Sequence, residues 1–229
     1  MIPAIYPIQL RISTAYVLVG ERTVLVDTGS AREEEKILRG MRRFNLEPGR
    51  IALLLHTHGH TDHAGSTLAL KQRLRVPAAV HAADAPKMRA GDSRPFVPLR
   101  FSSRILSLFL DPHFPAVEPD LLIDEGYSLT EFGLPATVLH TPGHTPGSIS
   151  ILFEDGRAIA GDLMMGGSLG GAIHPFEPGY HYFAEDLTEL RRSIRKLLDR
   201  GAKTIYLGHG GPLDAARVRE RFAADFSGL

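Results

Sequence analysis

The feature that most constrains this chain is a six-residue run, His58-Gly59-His60-Thr61-Asp62-His63, placed just behind the apolar stretch Ile51-Ala52-Leu53-Leu54-Leu55. A continuous apolar stretch of that length suits a central strand covered on both faces, so the histidines fall on the loop that leaves its end. Two histidines one residue apart can converge on one ion while the following Asp and His turn to a second. Imidazole and carboxylate together suit zinc, whose nitrogen and oxygen ligands stand at ~2.0–2.2 Å.

The chain has no cysteine, so disulfides, thiolate ligands and a cysteine nucleophile are excluded, and any metal must use His, Asp or Glu. Further donors follow beside small residues at the ends of expected strands. They are His144 in Thr141-Pro142-Gly143-His144, Asp162 in Ala160-Gly161-Asp162, and His209 in Gly208-His209-Gly210. With the run they complete a candidate set of His58, His60, Asp62, His63, His144, Asp162 and His209, enough for two ions. Two Zn²⁺ are expected, with Fe or Mn as alternatives.

With 229 residues and 43% hydrophobic content, the chain fits one domain spanning 1–229. Lys plus Arg and Asp plus Glu balance at 26 each, which argues against nucleic acid or an anionic membrane as partner and leaves a small-molecule substrate. The first residues lack the pattern of a signal peptide, and no run reaches the ~20 apolar residues of a span, so a cytoplasmic protein is expected.

Strands are expected at 5–10, 15–19, 23–26, 51–55, 78–81, 128–132, 137–140, 149–153, 158–160 and 204–207. Helices are expected at 31–44, with Ser30 as cap, at 66–74, after the Asp186 and Glu189 capping pair, and from about Asp214. Strand pairs mixed with scattered helices, without regular alternation, predict an α+β fold of stacked sheets with helices outside. Residues 92–119, rich in proline and large apolar side chains, read as an insertion with its own short helix. It is expected to serve as a lid, as packing on the sandwich or as a homodimer contact. Gly166–Gly171 reads as a loop at the mouth of the site. Tyr180, His181 and Tyr182 are candidate substrate contacts, whereas His56, His81, His113, His140 and His174 read as structural or exposed, His56 being turned to the other side of its strand.

The ordered set of motifs resembles the metallo-β-lactamase superfamily over nearly the whole chain. Asp27 in Val26-Asp27-Thr28-Gly29 matches its first motif and Thr57–His63 its second, and His144, Asp162 and His209 match the third, fourth and fifth. The resemblance implies an αββα sandwich of two mixed sheets with helices on the outer faces and metals at one edge. It further implies that His58, His60 and His144 hold one ion, that Asp62, His63 and His209 hold the other, that Asp162 bridges them, and that Asp27 holds the ligand loop by hydrogen bonds. A dinuclear hydrolase follows, in which a shared hydroxide attacks a carbonyl and Asp62 acts catalytically by orienting it and passing on a proton.

Asp162 is similar to the pattern of glyoxalase II and lactonase-like members, while β-lactamases of this fold usually lack that carboxylate or use a cysteine ligand. Glyoxalase II also carries a helical extension that binds glutathione, and only 17 residues follow Pro212 here. The expected substrate is therefore a small ester, lactone or acyl thioester. The alternatives are a two-metal phosphodiesterase, a mononuclear iron persulfide dioxygenase, and a non-catalytic binding protein on the same fold.

Overall fold

A computed structural model describes residues 3–228. One sheet runs in the order β1(Ala4–Gln9), β2(Thr14–Val19), β3(Thr23–Val26), β4(Ile51–Leu55), β5(Ala78–His81), β6(Leu121–Ile123). Its first three strands pair antiparallel and the rest parallel. The second sheet is built from β7(Ala136–His140), β8(Ile149–Phe153), β9(Arg157–Ile159), β12(Thr204–Tyr206) and β13(Leu213–Asp214). Only its β9 and β12 pair parallel. A separate hairpin, β10(Met165–Ser168) and β11(Ile173–Gly179), contains the glycine-rich segment expected as a loop.

Alternation along the strands produces the layers. Leu18, Val24, Val26, Leu53 and Leu55 face inward onto Val138, Ile151, Phe153 and Ile159 of the other sheet. Their neighbours Val17, Leu25 and Leu54 face outward, under Ile37, Leu38 and Met41 of α1(Glu34–Arg43) and Leu70 of α3(Thr67–Leu74). On the far side Leu139, Ala158, Ile205 and Leu207 lie under Leu190, Ile194 and Leu197 of α6(Leu187–Asp199) and Val218 and Phe222 of α7(Ala215–Phe226). Period-2 burial on each strand and period-3.6 burial on each helix thus give helix, sheet, sheet, helix. Among the described residues no helix is long and apolar enough to cross a membrane.

Two expectations about elements need correction. Residues 128–132 are not a strand: Ser128 makes an isolated bridge to Thr137, and Thr130–Phe132 form a 3₁₀ turn. Leu129 and Phe132 both enter the inter-sheet core, and side chains three apart share a side only in a helical turn. The first helix begins at Glu34 rather than Ala31, and Ser30 does not cap it. Gly65 N and Ser66 Oγ take the carbonyls of Gly29 and Ser30, and Arg32 adopts the left-handed region at φ 68°, so the chain cannot start its helix there.

Two one- to two-turn helices complete the frame that carries the site. The second half of the run opens α2(Thr61–Ala64), and β5 leads into α4(Ala85–Ala90). The segment expected as an insertion is closed at its base, where Ser93 N donates to Pro112 O and Phe114 N to Gly91 O, and it carries α5(Phe101–Leu106). Leu99 N donates to Tyr182 O and Ala184 N to Val97 O, so the segment is stitched beside residues 182–184. Phe96, Leu106 and Leu110 turn inward, while Phe101, Leu108 and Phe109 are about four-fifths exposed, at 79%, 79% and 81%.

Candidate metal centre

The ends of β4, β9 and β12 and the turn between β7 and β8 meet at one edge of the sandwich. There the structure brings together all seven residues of the expected set, in two groups that share a centre. His58, His60 and His144 form one group, and Asp62, His63, Asp162 and His209 the other. Donors ~2.0–2.2 Å from a tetrahedral ion lie ~3.3–3.6 Å from one another. His60 Nδ1 stands 3.0 Å from His144 Nε2, which stands 3.6 Å from Asp162 Oδ2, with His58 Nε2 at 3.9 Å from the same oxygen. Asp162 Oδ1 is 3.3 Å from His63 Nε2, and His209 Nε2 is 3.3 Å from Asp162 Oδ2 and 3.2 Å from Asp62 Oδ2. The separations bracket what two four-coordinate ions require.

The hydrogen bonds behind the rings fix which nitrogen faces the centre. His63 Nδ1 donates to Asp27 Oδ2 at 2.8 Å, His144 Nδ1 to Phe183 O at 2.9 Å, and His209 Nδ1 to Ile12 O at 2.6 Å. His58 Nδ1 donates to Thr57 Oγ1 at 3.1 Å, and that hydroxyl donates to Asp27 Oδ2 at 2.8 Å. In a neutral ring, an acceptor at Nδ1 leaves the lone pair on Nε2. His58 Nε2, His63 Nε2, His209 Nε2 and Asp162 Oδ1 are buried without a hydrogen-bond partner. Orphaned polar atoms are costly in a protein interior, and these four point at one place. The donor set therefore fits two divalent ions of borderline softness.

Electrostatics separates the two groups. Burial, followed by neighbouring imidazoles, holds His58 and His60 well below the usual histidine range, and burial lowers His144 as well. Burial also opposes charge on His63 and His209, but Asp162 and the other carboxylates outweigh it. They raise His63 well above its ordinary value and His209 to about 10. Asp62 and Asp162 are likewise lowered despite burial, through the charges on those two rings.

Asp27 sits under the centre as its resemblance-based role requires, accepting from Thr57 N as well as from Thr57 Oγ1 and His63. Asp84 is a tie that sequence reasoning missed. Fully buried, it accepts from Gly59 N and Thr145 Oγ1 on Oδ2 and from Gly147 N on Oδ1, locking the two ligand loops together. In the sequence it looks like an ordinary cap before Ala85-Pro86, yet its side chain caps nothing. Ser13 Oγ, also missed, donates to Asp62 O at 2.6 Å. Gly208 is required by space: a Cβ there would lie 2.2 Å from Asp162 Oδ1 and 2.6 Å from the His63 ring.

Above the centre opens a cavity of about 350 Å³, walled by Ile12, Phe96, Leu106, Leu110, Met165, Leu169 and Phe183, with His60, Asp62, Asp162, His181 and His209 at its floor. No lysine or arginine among the described residues lines it. Of the three expected substrate contacts, His181 and Tyr182 reach this cavity and Tyr180 does not. The Tyr180 ring packs on Phe222, 4.8 Å between centroids, and its hydroxyl accepts from Arg191 Nε. Burial drives His181 down to about 3. Tyr182 Oη accepts from Leu169 N at 2.8 Å, which pins the β10–β11 turn over the mouth.

The histidines set aside as structural lie elsewhere. His56 is buried, with Nε2 at 3.2 Å from Thr67 Oγ1, and His113 pairs with Asp111 on the surface. His81 and His140 stack at 4.0 Å, and His81 donates to Asp124 at 3.1 Å, a pairing that their sequence spacing does not announce.

The two-sheet sandwich carries its paired His/Asp groups at one edge, the arrangement of a metal-binding class of protein. The sequence profile described as the metallo-beta-lactamase superfamily matches residues 8–209, and the chain belongs to that superfamily. It is similar to a probable metallo-hydrolase of Methanocaldococcus jannaschii, 26% identical and covering 86% of this chain and 87% of that one. It is also similar to a hydroxyacylglutathione hydrolase of Haemophilus influenzae, 28% identical over 83% of this chain and 81% of that one. Among solved structures, one of a protein in a di-iron-bound form matches with TM-score 0.69 and 26% identity, covering 94% of this chain and 97% of that one.

Proposed function

We propose that this chain is a dinuclear zinc hydrolase that cleaves a small ester, lactone or acyl thioester. The observation that carries the reading is the pair of ligand groups, His58, His60 and His144 beside Asp62, His63, Asp162 and His209, beneath an apolar cavity that no lysine or arginine among the described residues lines. His58, His60 and His144 would hold one ion, Asp62, His63 and His209 the other, and Asp162 both. Two such ions supply a nucleophile from water at neutral pH and polarise a carbonyl oxygen.

The rest is the work of the chain. Asp62, ionised and facing the cavity, is an acceptor that orients the attacking water and relays its proton to the departing oxygen or sulfur. The walls take the acyl group out of water, and a cavity of about 350 Å³ lies within the range that small-molecule sites use. A relative named for hydroxyacylglutathione supports an acyl substrate. That no lysine or arginine among the described residues lines the cavity to meet a glutathione carboxylate favours a less polar leaving group. Zinc suits the imidazole and carboxylate donors, and the di-iron-bound neighbour makes iron the metal to measure against it.

The test is metal analysis of the purified protein, paired with a panel of lactones, acyl thioesters, aryl esters, phosphodiesters and a cephalosporin. About two ions per chain and chelator-sensitive turnover of an acyl substrate are expected. Fewer than one ion per chain after reconstitution, or turnover of the phosphodiester alone, would overturn the proposal.

A further inference from the structure

Five imidazoles close on the carboxylate of Asp162, those of His58, His63, His144, His181 and His209. The contacts behind them sort them into two kinds. Four donate from Nδ1, to Thr57 Oγ1, Asp27, Phe183 O and Ile12 O, and so when neutral present a bare Nε2. His181 is reversed. Its Nδ1 accepts from the backbone N–H of Phe183 at 3.3 Å, so the neutral ring carries its proton on Nε2, which stands 3.3 Å from Asp162 Oδ2. One peptide residue thus imposes opposite tautomers on two adjacent rings: the Phe183 carbonyl on His144 and the Phe183 N–H on His181. The His144 and His181 rings lie 4.7 Å apart at 90°.

The difference decides what each ring can do. A nitrogen that bears a proton has no lone pair for an ion, so the placing of His181 beside His144 and Asp162 does not make it a ligand. It is a hydrogen-bond donor on the floor of an apolar cavity, buried to 7% exposure, with the rings of Phe183 and Tyr182 against it. At so buried a position a fixed donor acts in a low-dielectric setting, and fixed donors are most effective where negative charge develops during a reaction.

We propose that His181 is a catalytic residue whose Nε2–H donates to the carbonyl oxygen of the acyl substrate and stabilises the charge that oxygen gains. The proposal rests on the hydrolase reading above. When the oxygen of the attacking water bonds to the carbonyl carbon, the π pair of C=O moves onto the carbonyl oxygen. His181 donates to that oxygen and keeps its own proton. When the pair returns, the bond from carbon to the ester oxygen or thioester sulfur breaks. The leaving atom takes that bond's electrons together with the proton given up by the water, which yields an acid and an alcohol or thiol. Removal of one such donor costs about 10²–10³ in kcat.

The test compares wild type, His181→Phe and His181→Gln as zinc-loaded proteins, the glutamine amide offering an N–H near the position of Nε2. Expected are unchanged zinc content in both variants, kcat lowered about 10²–10³-fold in His181→Phe with KM within about threefold, and at least a tenfold recovery in His181→Gln. Long-range ¹H–¹⁵N spectra of the zinc-loaded wild type should show His181 protonated on Nε2 and bare on Nδ1. Loss of an ion equivalent in His181→Phe, a proton on Nδ1, unchanged kcat, or a glutamine variant no better than phenylalanine would each overturn the proposal. A wild type inactive on every acyl substrate would instead remove the hydrolase reading, and with it the carbonyl acceptor. The spectra and metal counts would still decide between donor and ligand, so the two failures are distinguishable.

Discussion

Replacement of Asp27 by asparagine perturbs the centre without touching any proposed ligand. Asp27 Oδ2 accepts from both His63 Nδ1 and Thr57 Oγ1 at 2.8 Å, and Oδ1 accepts from Thr57 N at 2.8 Å. The introduced amide can keep the bond to Thr57 N through its oxygen, but its NH₂ would face two donors in place of the carboxylate oxygen that served them. His63 then gains by moving its proton to Nε2, the nitrogen that faces Asp62 and Asp162, where it blocks an ion. Loss of such a partner behind a ligand lowers metal affinity about 10–100-fold, or about 1.4–2.7 kcal/mol. The bond from Thr57 Oγ1 is forfeited outright, and at about 1.5–3 kcal/mol for a bond with one charged member its loss should also destabilise the metal-free protein by about that much. Competition against a chromophoric chelator gives the first quantity, and urea unfolding in the presence of EDTA gives the second. Zinc affinity within about threefold of wild type would refute the argument that Asp27 acts by fixing the imidazole tautomer.

Three further outcomes follow from the same geometry. Asp62→Ala should keep its far-UV circular dichroism, since the carboxylate serves only the centre, and lose at least about 10²-fold in kcat; unchanged turnover would sink the assigned role. His63 and His209 are raised, so in the ion-free protein they carry protons at pH 7 and must lose them to bind metal, whereas His58, His60 and His144 are lowered and already bare. One ion should therefore bind with little pH dependence near neutrality, while affinity for the other falls as pH falls, by up to about tenfold per proton per unit; calorimetry in buffers of different ionisation enthalpy should show up to about two protons released on that second step alone. Lengthening an unbranched acyl group should raise kcat/KM by about fourfold per CH₂, from ~0.8 kcal/mol each, until the cavity is full, and a flat series would argue against the Phe96, Leu106 and Leu110 wall as the acyl site.

The layers and the grouping of the candidate metal donors were legible because each depends on local pattern. Leu53-Leu54-Leu55 faces core on both sides and so is apolar throughout, and the donors crowd a single loop or follow small residues at strand ends. Residues 128–132 misled because Leu129 and Phe132 suit a strand by composition, while their joint burial in one cluster requires a turn. What lies behind the donors was less visible, since the acceptors for His144 and His209 are backbone carbonyls of Phe183 and Ile12, which no side-chain pattern marks. Asp84 was hidden by its position before Ala85-Pro86, which reads as a helix cap. Tyr180 was misplaced because three consecutive residues leave a chain in different directions, and its ring belongs to the layer under α7.

Anomalous scattering at the zinc edge from crystals of the reconstituted protein tests the central claim most directly. Two peaks ~3.5–4 Å apart are expected on either side of Asp162, one ~2.0–2.2 Å from nitrogens of His58, His60 and His144, and the other at that distance from Asp62, His63 and His209. A single peak, or two peaks that do not share Asp162, would contradict the account.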